Sequence, residues 1–184
     1  MFTSVLLSGW LWLVSFFPAP VTDKPAIATE TIPWAENRRL SWNDFKANPD
    51  TSDPLDAITS ANIDVKITCQ NNKLNYQVTS VFVASDSWSK DKESDALLHH
   101  EQMHFDLTEI HARLLRKKLS LLKDPCSMPQ PLLNKAINDQ FDAWKKEQDR
   151  YDNDTNHGLK EMQQLIWSKQ IADRLQELKA YRLP

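Results

Sequence analysis

The stretch from Leu97 to Leu119, which reads LLHHEQMHFDLTEIHARLLRKKL, constrains the fold more than any other part of the chain. Its apolar side chains recur at spacings of three, four and seven residues, which predicts a long helix from about Ser94 to Leu122. The stretch also contains four of the five histidines of the chain. With about 100° of rotation per residue, His100, His104 and His111 fall within about 40° of one another, inside the apolar arc. A core that packs on this helix must therefore provide partners for buried imidazole rings.

Strands are predicted before this helix, and further helices after it. Residues 60–69 and 73–84 alternate apolar and polar side chains on either side of the turn Gln70-Asn71-Asn72, which predicts an antiparallel hairpin. Helical spacing of apolar residues recurs over about 132–151 and about 159–181. The expected fold class is α+β, with N-terminal antiparallel strands packed on a C-terminal three-helix region, in one domain over residues 32–184.

Composition argues against some classes of function. The formal net charge is −3, so no basic surface indicates a nucleic-acid partner. The chain has only 2 glycines and no glycine-rich motif of the kind that binds phosphates. A nucleotide-binding or nucleic-acid-binding protein is therefore not expected.

The first residues differ in character from the rest of the chain. The run from Phe2 to Phe17 is almost entirely apolar, and a polar, proline-rich stretch follows it. The run is shorter than the roughly 20 apolar residues that a transmembrane helix needs, and it suits a secretory signal peptide. We therefore expect residues 1–28 to be a signal peptide, or else an uncleaved N-terminal anchor, plus a linker. Either interpretation places the domain in the periplasm or outside the cell, with membrane contact only through this segment.

Export determines what is expected of the cysteines. Cys69 and Cys126 are the only two, and they lie too far apart in sequence to form a CxxC metal clip. In an oxidising compartment they are expected to form a disulfide, and the alternative is a pair of free, buried cysteines.

Within the long helix, the residues from His100 to His104 form an H-E-x-x-H motif. Histidines at positions i and i+4 stand one above the other on a helix, so that both rings can reach one tetrahedral Zn²⁺. Glu101 lies beside them, rotated by about 100°, where it can deprotonate a water molecule at the metal without being a ligand. The motif therefore predicts a zinc site with His100 and His104 as ligands and Glu101 as general base.

A catalytic zinc site needs a third protein ligand and one open position. Glu109 and Asp106 are poor candidates, because both point away from the histidine face, where Arg113 is available to pair with them. His157 lies at the break between the last two predicted helices and is followed by a glycine. A loop before a helix start can present a side chain to a neighbouring helix. His157 is therefore predicted as the third ligand, with Glu161 as the reserve.

Several strings in the chain resemble those of one bacterial family. They are LSWNDFKANPD, AITSANI, SVFVASDSW, LLHHEQMHFDLTEIHARLLRKKL and YDNDTNHG, spread over about residues 39–167. The sequence is similar to the DUF922 family, described as predicted secreted zinc-dependent proteases of the HExxH type. The resemblance implies a zincin-like fold, with the metal at His100 and His104 and with Glu101 as the catalytic base.

The expected activity is zinc-dependent hydrolysis of a peptide or protein substrate. Negative charge on the carbonyl oxygen needs a hydrogen-bond donor, and Tyr151 or His111 is a candidate for this role. The edge of the strand hairpin is expected to lie beside the metal helix and to align an extended peptide. One alternative is a non-catalytic exported protein in which zinc only stabilises a binding or scaffold domain. Another is an HExxH hydrolase that acts on cell-wall peptide or a different amide.

Overall fold

A long antiparallel hairpin forms the centre of the sheet. The structure is a computed structural model that describes residues 30–183. Strand β3 (Ala61–Gln70) pairs with strand β4 (Lys73–Val83) over its whole length, from the Ala61↔Phe82 pair to the Gln70↔Lys73 pair. Asn71 and Asn72 make the turn in the left-handed region, with φ of 51° and 60°, which asparagine tolerates better than most residues. The predicted hairpin is therefore confirmed.

Three short strands complete the sheets. Strand β1 (Thr31–Pro33) pairs antiparallel with β4, which gives the order β1-β4-β3. Strand β2 (Ala57–Ile58) pairs antiparallel with strand β5 (Trp88–Ser89) in a separate two-stranded sheet. Elements of two or three residues are too short to show a periodic pattern, and the sequence did not predict them.

Three helices follow the strands. Helix α1 is Asp95–Ser120, helix α2 is Gln130–Thr155 and helix α3 is Glu161–Glu177. The Ser94 side chain caps α1 by accepting a hydrogen bond from the backbone N–H of Leu97. The α+β class, with antiparallel strands first and three helices afterwards, is confirmed.

Helix α1 lies at the centre of the domain. On one side it packs against the hairpin and α2 through Ala112 and Leu115, and on another it packs against α2 and α3 through Leu107 and Ile110. Near its N-terminal half, Phe105 packs against aromatic residues of the N-terminal segment and β4. Because neighbours surround α1, many of its polar side chains are also buried, and each of these requires a partner.

A disulfide joins the end of β3 to the loop between α1 and α2. The Cα atoms of Cys69 and Cys126 are 5.7 Å apart, and the two residues are 57 positions apart in sequence. The predicted pairing is confirmed. Closing a loop of this length stabilises the fold by about 4 kcal/mol in the chain-entropy treatment.

The predicted signal peptide or anchor, residues 1–28, lies outside the described residues. Within residues 30–183, none of the helices combines the length and the apolar character that crossing a bilayer would require.

Candidate metal centre

Helices α1 and α2 bring three metal-ligating side chains together. The Nε2 atoms of His100 and His104 are 3.2 Å apart. The Oδ1 atom of Asp152, near the C-terminal end of α2, lies 3.2 Å from the first Nε2 and 2.9 Å from the second. In the part of the chain that the structure describes, these residues form the group whose ligand atoms all lie within 4.8 Å of one another. We call His100, His104 and Asp152 the histidine cluster.

The spacing of the histidine cluster fits a zinc ion. Zinc binds imidazole nitrogen and carboxylate oxygen at about 2.0–2.2 Å in a tetrahedral arrangement. Ligand atoms of such a tetrahedron are about 3.3 Å apart, as follows from those bond lengths. The three separations in the cluster, 2.9, 3.2 and 3.2 Å, are close to this value.

Two glutamines hold the imidazole rings in the form that binds a metal. The Oε1 atom of Gln164 lies 3.1 Å from Nδ1 of His100, and the Oε1 atom of Gln148 lies 2.7 Å from Nδ1 of His104. An amide oxygen only accepts hydrogen bonds, so each Nδ1 carries the proton. The Nε2 lone pair of each neutral ring is then free for a metal, which is the arrangement that partners behind a ligating histidine produce.

The orientation of the Gln148 amide is itself fixed. Its Nε2 donates to the backbone carbonyl of His104 at 2.9 Å and to Oγ1 of Thr108 at 3.1 Å. A carbonyl oxygen cannot donate, so the amide nitrogen must face it and the amide oxygen must face Nδ1 of His104. The tautomer of His104 therefore follows from the backbone of α1.

The charges in the histidine cluster favour a cation. When a proton and not a metal occupies Nε2, that nitrogen donates to Oδ1 of Asp152. Burial raises the pKa of the Asp152 carboxyl, but these hydrogen bonds from His100 and His104 outweigh burial and hold the pKa well below its usual range. Burial lowers the pKa of His104, but the hydrogen bond and the charge of Asp152 outweigh burial and raise it above the ordinary value. Asp152 is therefore ionised at neutral pH, as a metal-ligating carboxylate must be.

Glu101 differs from every other buried acid of α1. Its residue exposure is 3%, yet its carboxylate makes no hydrogen bond or ion pair with any residue from 30 to 183. Its oxygens are not sealed from solvent, since Trp42 Nε1 is the one fully buried side-chain polar atom without a partner among the described residues. Glu101 lines a cavity of about 710 Å³ together with all three members of the histidine cluster.

The cavity lies between the helices and the short sheet. Its walls are the N-terminal half of α1, the C-terminal end of α2 with the turn that follows it, and the segment from Pro54 to Ala61, which contains β2. The apolar part of the lining includes Leu97 and Trp144. The histidine cluster and Glu101 thus share a cavity whose volume is in the range of ligand-binding pockets.

The structure places His157 beside the histidine cluster, but not within it. The Nδ1 atom of His157 is 3.5 Å from Oδ1 of Asp152, and its side chain is 50% exposed. Among the described residues, Asp152 and not His157 forms the close group of possible metal ligands with His100 and His104. Glu161, the reserve candidate, is exposed at the start of α3.

Tyr151 lies behind the histidine cluster. Its residue exposure is 0%, and its ring stacks on that of His100 with the centroids 4.7 Å apart. Its hydroxyl is 2.9 Å from Oε1 and 2.6 Å from Nε2 of Gln164, and 3.3 Å from the carbonyl of His100. Burial raises the pKa of this hydroxyl above its ordinary value. Tyr151 therefore packs against His100, and it is not among the residues that line the cavity.

Two other acids of α1 have structural partners. Glu109 pairs with Arg113 at 2.8 Å, as predicted, but the pair is buried. Asp106 accepts hydrogen bonds from Trp34 and Arg39 at 2.8 and 2.9 Å. The predicted pairing of Asp106 with Arg113 is therefore wrong, because the N-terminal segment, which has no clear pattern of its own, covers that face of the helix.

The remaining histidines of α1 also have partners elsewhere. The Nε2 atom of His111 lies 2.7 Å from Glu147, and its Nδ1 lies 2.7 Å from the side-chain nitrogen of Gln140. His111 is therefore not free to contact a substrate. His99 is exposed and lies 2.8 Å from Oγ of Ser168 on α3.

All the residues that line the cavity, except Leu159, lie in a part of the chain that matches a known family. The sequence profile described as "bacterial protein of unknown function (DUF922)" matches residues 28–158, which is most of the chain. The chain belongs to the DUF922 family. In this DUF922 protein the match includes the histidine cluster, Glu101 and His157, and it ends before α3. No curated protein and no solved structure matches the chain.

Sequence reasoning missed Asp152, although a signal was present. Trp144, Gln148 and Asp152 are spaced by four residues, and they continue the apolar stripe of α2 with two polar residues. Polar side chains on the buried face of a helix need partners there, just as the histidines of α1 do. The third ligand predicted from the sequence was His157, with Glu161 as the reserve, and both follow the end of α2.

Proposed function

We propose that this DUF922 protein is an exported zinc-dependent metallohydrolase that cleaves peptide bonds. The observation that carries the proposal is the Glu101 carboxylate, which lines the same cavity as three side chains that could hold a metal ion and makes no hydrogen bond or ion pair with any residue from 30 to 183. His100, His104 and Asp152 would hold the zinc ion, and three protein ligands leave one coordination position open.

The residues around the cavity have different roles in the proposed reaction. A zinc ion held by the histidine cluster would supply Lewis acidity, for polarising a carbonyl group and for making a water molecule more acidic. Glu101 takes a proton from the water as its oxygen attacks the carbonyl carbon. When the C–N bond breaks, Glu101 returns the proton to the leaving amine. Gln148 and Gln164 keep the two imidazole rings oriented throughout.

The backbone of β2 supports a peptide as the substrate. Lys90 N–H donates to the carbonyl of Asp56, and Ala57 is paired with Ser89. In an antiparallel ladder this arrangement turns the backbone groups of Ala57 and Thr59 away from β5. Among the described residues the small sheet consists of β2 and β5 alone, so this edge has no strand beside it. An extended peptide can pair with such an edge, and Ala57 and Thr59 line the cavity.

The disulfide supports the export part of the proposal. Disulfides form and persist in oxidising compartments such as the periplasm and the cell exterior. The bond between Cys69 and Cys126 is therefore consistent with the secretory interpretation of residues 1–28.

Metal analysis combined with a broad peptide-cleavage screen tests the proposal. The wild type is expected to bind about one zinc ion per chain and to cleave at least one peptide of the screen. Glu101→Gln is expected to keep zinc and fold while losing about 10²–10⁴-fold in rate, because only the proton transfer is removed. Glu161→Gln, which changes an exposed glutamate outside the cavity, is the matched control and is expected to keep full activity.

A zinc-stabilised binding or scaffold protein is the alternative. It predicts zinc in the wild type, no cleavage of any peptide, and no effect of Glu101→Gln other than a change in stability. A catalytic role predicts a large loss of rate in the same variant.

A further inference from the structure

We infer that His157 is a catalytic residue, and not a metal ligand, that donates a ring N–H to the carbonyl oxygen of the bond being cleaved. The inference rests on the proposed hydrolysis and names the residue that stabilises the negative charge on that oxygen. It differs from both earlier expectations, in which His157 bound the zinc ion and Tyr151 or His111 served as the donor.

The position of His157 fits contact with a substrate. It lines the cavity, its side chain is 50% exposed, and its Nδ1 atom is 3.5 Å from Oδ1 of Asp152. That distance is longer than a normal hydrogen bond, which is at most about 3.2 Å for these atoms. The ring is therefore adjacent to the ligand set, and it remains accessible to a molecule that enters the cavity.

The backbone holds this ring at a fixed place. Asn156, His157 and Gly158 all have left-handed φ values, 51°, 53° and 85°, and the N–H of His157 donates to the carbonyl of Asp152 at 3.0 Å. A Cβ atom added to Gly158 would lie 3.1 Å from Cβ and Cγ of His100. The turn thus presses directly against a member of the histidine cluster, and a rigid turn keeps His157 beside it.

Among the described residues, three other side-chain donors of the cavity wall are already engaged, besides the ligating histidines. Trp144 donates to Thr108, Gln148 donates to the α1 backbone, and Thr59 donates to the carbonyl of Glu101. The Ser94 hydroxyl carries an O–H and no N–H, and it accepts from the backbone N–H of Leu97 at the start of α1. His157 is the remaining lining side chain with an N–H to offer, since the acids have none at neutral pH.

This role also explains why the site can be catalytic. Three protein ligands leave a position open for a substrate, whereas a fourth protein ligand would close the site, as in structural zinc sites. A ring that lies beside the cluster can stabilise developing charge on an oxygen without occupying the open position. If His157 contacts substrate, the site is of the open, catalytic kind. If His157 binds zinc as a fourth protein ligand, the site is of the closed, structural kind.

The test compares the wild type with His157→Gly and His157→Asn, two substitutions that tolerate a left-handed backbone. His99→Ala, which changes an exposed histidine outside the cavity, is the matched control. Zinc affinity is measured by competition with a chelator. Binding of inorganic phosphate, a tetrahedral anion, is measured from the visible spectrum of the cobalt-substituted protein, and kcat and KM are measured on a cleaved peptide.

We expect zinc affinity in both His157 variants to stay within about threefold of the wild type, because all three ligands remain. Phosphate affinity should fall by about tenfold or more, because a hydrogen bond to a charged group is lost. The kcat value should fall by about 10²–10³-fold with little change in KM, and His99→Ala should change none of these quantities.

A loss of zinc affinity of about 100-fold or more in both variants would identify His157 as a ligand and overturn the inference. Unchanged phosphate affinity would overturn it as well. If the zinc-loaded wild type cleaves no peptide, the proposed function fails, but the phosphate measurement still decides whether His157 contacts an anion at the metal.

Discussion

Helix α1 carries two buried polar clusters that differ in how completely their groups are paired. The first is the histidine cluster with Glu101, in the N-terminal half of the helix. The second, which we call the arginine cluster, consists of Glu109, Arg113, Arg116 and Ser80. Glu109 accepts from Arg113 at 2.8 Å, from Arg116 at 3.0 Å and from the Ser80 hydroxyl.

The arginine cluster has no unused group on its acid. Both carboxylate oxygens of Glu109 are bonded, and the two guanidinium groups also reach backbone carbonyls of Val78, Leu175 and Tyr181. The cluster thereby ties α1 to β4, α3 and the C-terminal segment. In contrast, the Glu101 carboxylate has no partner among residues 30–183, and the two Nε2 atoms of the histidine cluster converge beside a cavity. Complete pairing indicates a structural role, and unused groups beside a cavity indicate a functional one.

The largest expected effect is the loss of zinc in His104→Ala. Zinc held by only one histidine and Asp152 is weakly bound, and we expect affinity to fall by about 10³-fold or more, beyond the 10–100-fold effect of partners behind a ligand. Chelator competition measures the affinity, and far-UV circular dichroism should show that the helices remain. His111→Ala, which removes a non-ligating histidine of the same helix, should keep zinc. Full zinc occupancy in His104→Ala would show that the histidine cluster is not the metal site.

Glu109→Ala should have the opposite effect to His104→Ala: it should lower the unfolding free energy and leave zinc affinity unchanged. It leaves two buried guanidinium groups, with Arg113 3% and Arg116 5% exposed, without their carboxylate. Breaking a buried ion pair in this way costs about 3–5 kcal/mol of unfolding free energy, so the effect is global and not confined to the helix surface. Urea unfolding measures this loss, and the zinc affinity of the folded protein should not change. Asp139→Ala, which removes an exposed pair with Lys135, should cost less than about 1 kcal/mol.

The same contrast shows what the sequence could predict. The hairpin and the three helices have long, regular apolar patterns, and these elements lie close to their predicted bounds. His100, Glu101 and His104 share one helix, where spacing alone fixes which faces their side chains occupy. Asp152 comes from another helix, and its contact with His104 depends on how α2 packs on α1. No local pattern encodes that packing.

The sequence did not predict that Glu109 is buried, for a related reason. Its pairing with Arg113 follows from a spacing of four residues, and the structure confirms it. Its second arginine and Ser80 come from a third turn of the helix and from β4. Whether an i, i+4 pair lies on the surface or in the core depends on the sheet that covers it. The hairpin was predicted, but the side of α1 that it covers was not.

A smaller loss of zinc affinity is expected when Gln148, which contacts Nδ1 of His104, is changed. Gln148→Leu removes the acceptor that holds the Nδ1 proton, and it should lower zinc affinity by about 10–100-fold without removing a ligand. Gln140→Leu is the matched control, because Gln140 lies on the same helix and bonds a histidine, His111, that is outside the cluster. Chelator competition should show no change for the control. Equal zinc affinity in the two variants would mean that the amide of Gln148 does not orient the ligand.

The smallest effect concerns Glu147, which is paired like Glu109 but lies nearer to solvent. Burial raises its pKa, but hydrogen bonds from His111 and the two-pronged contact of Arg174 at 2.7 and 2.9 Å outweigh burial and lower the pKa from 4.5 to about 2. Because the pKa is lower in the folded state, ionised Glu147 stabilises the fold above pH 4.5, and this stabilisation disappears as the pH falls toward 2.

Wild type should therefore exceed Glu147→Gln in unfolding free energy by roughly 2 kcal/mol near neutral pH, after allowance for the solvent that reaches the pair. The difference should shrink steadily between pH 4.5 and about 2. Urea unfolding of both proteins across this range measures it, and taking the difference removes the effect of zinc release, which both proteins share. Asp139→Asn, at an exposed pair, should show a much smaller pH-dependent difference. If the difference in unfolding free energy stayed constant across this pH range, Glu147 would stabilise the fold through packing and not through its charge. It would then differ from Glu109, the acid of the arginine cluster.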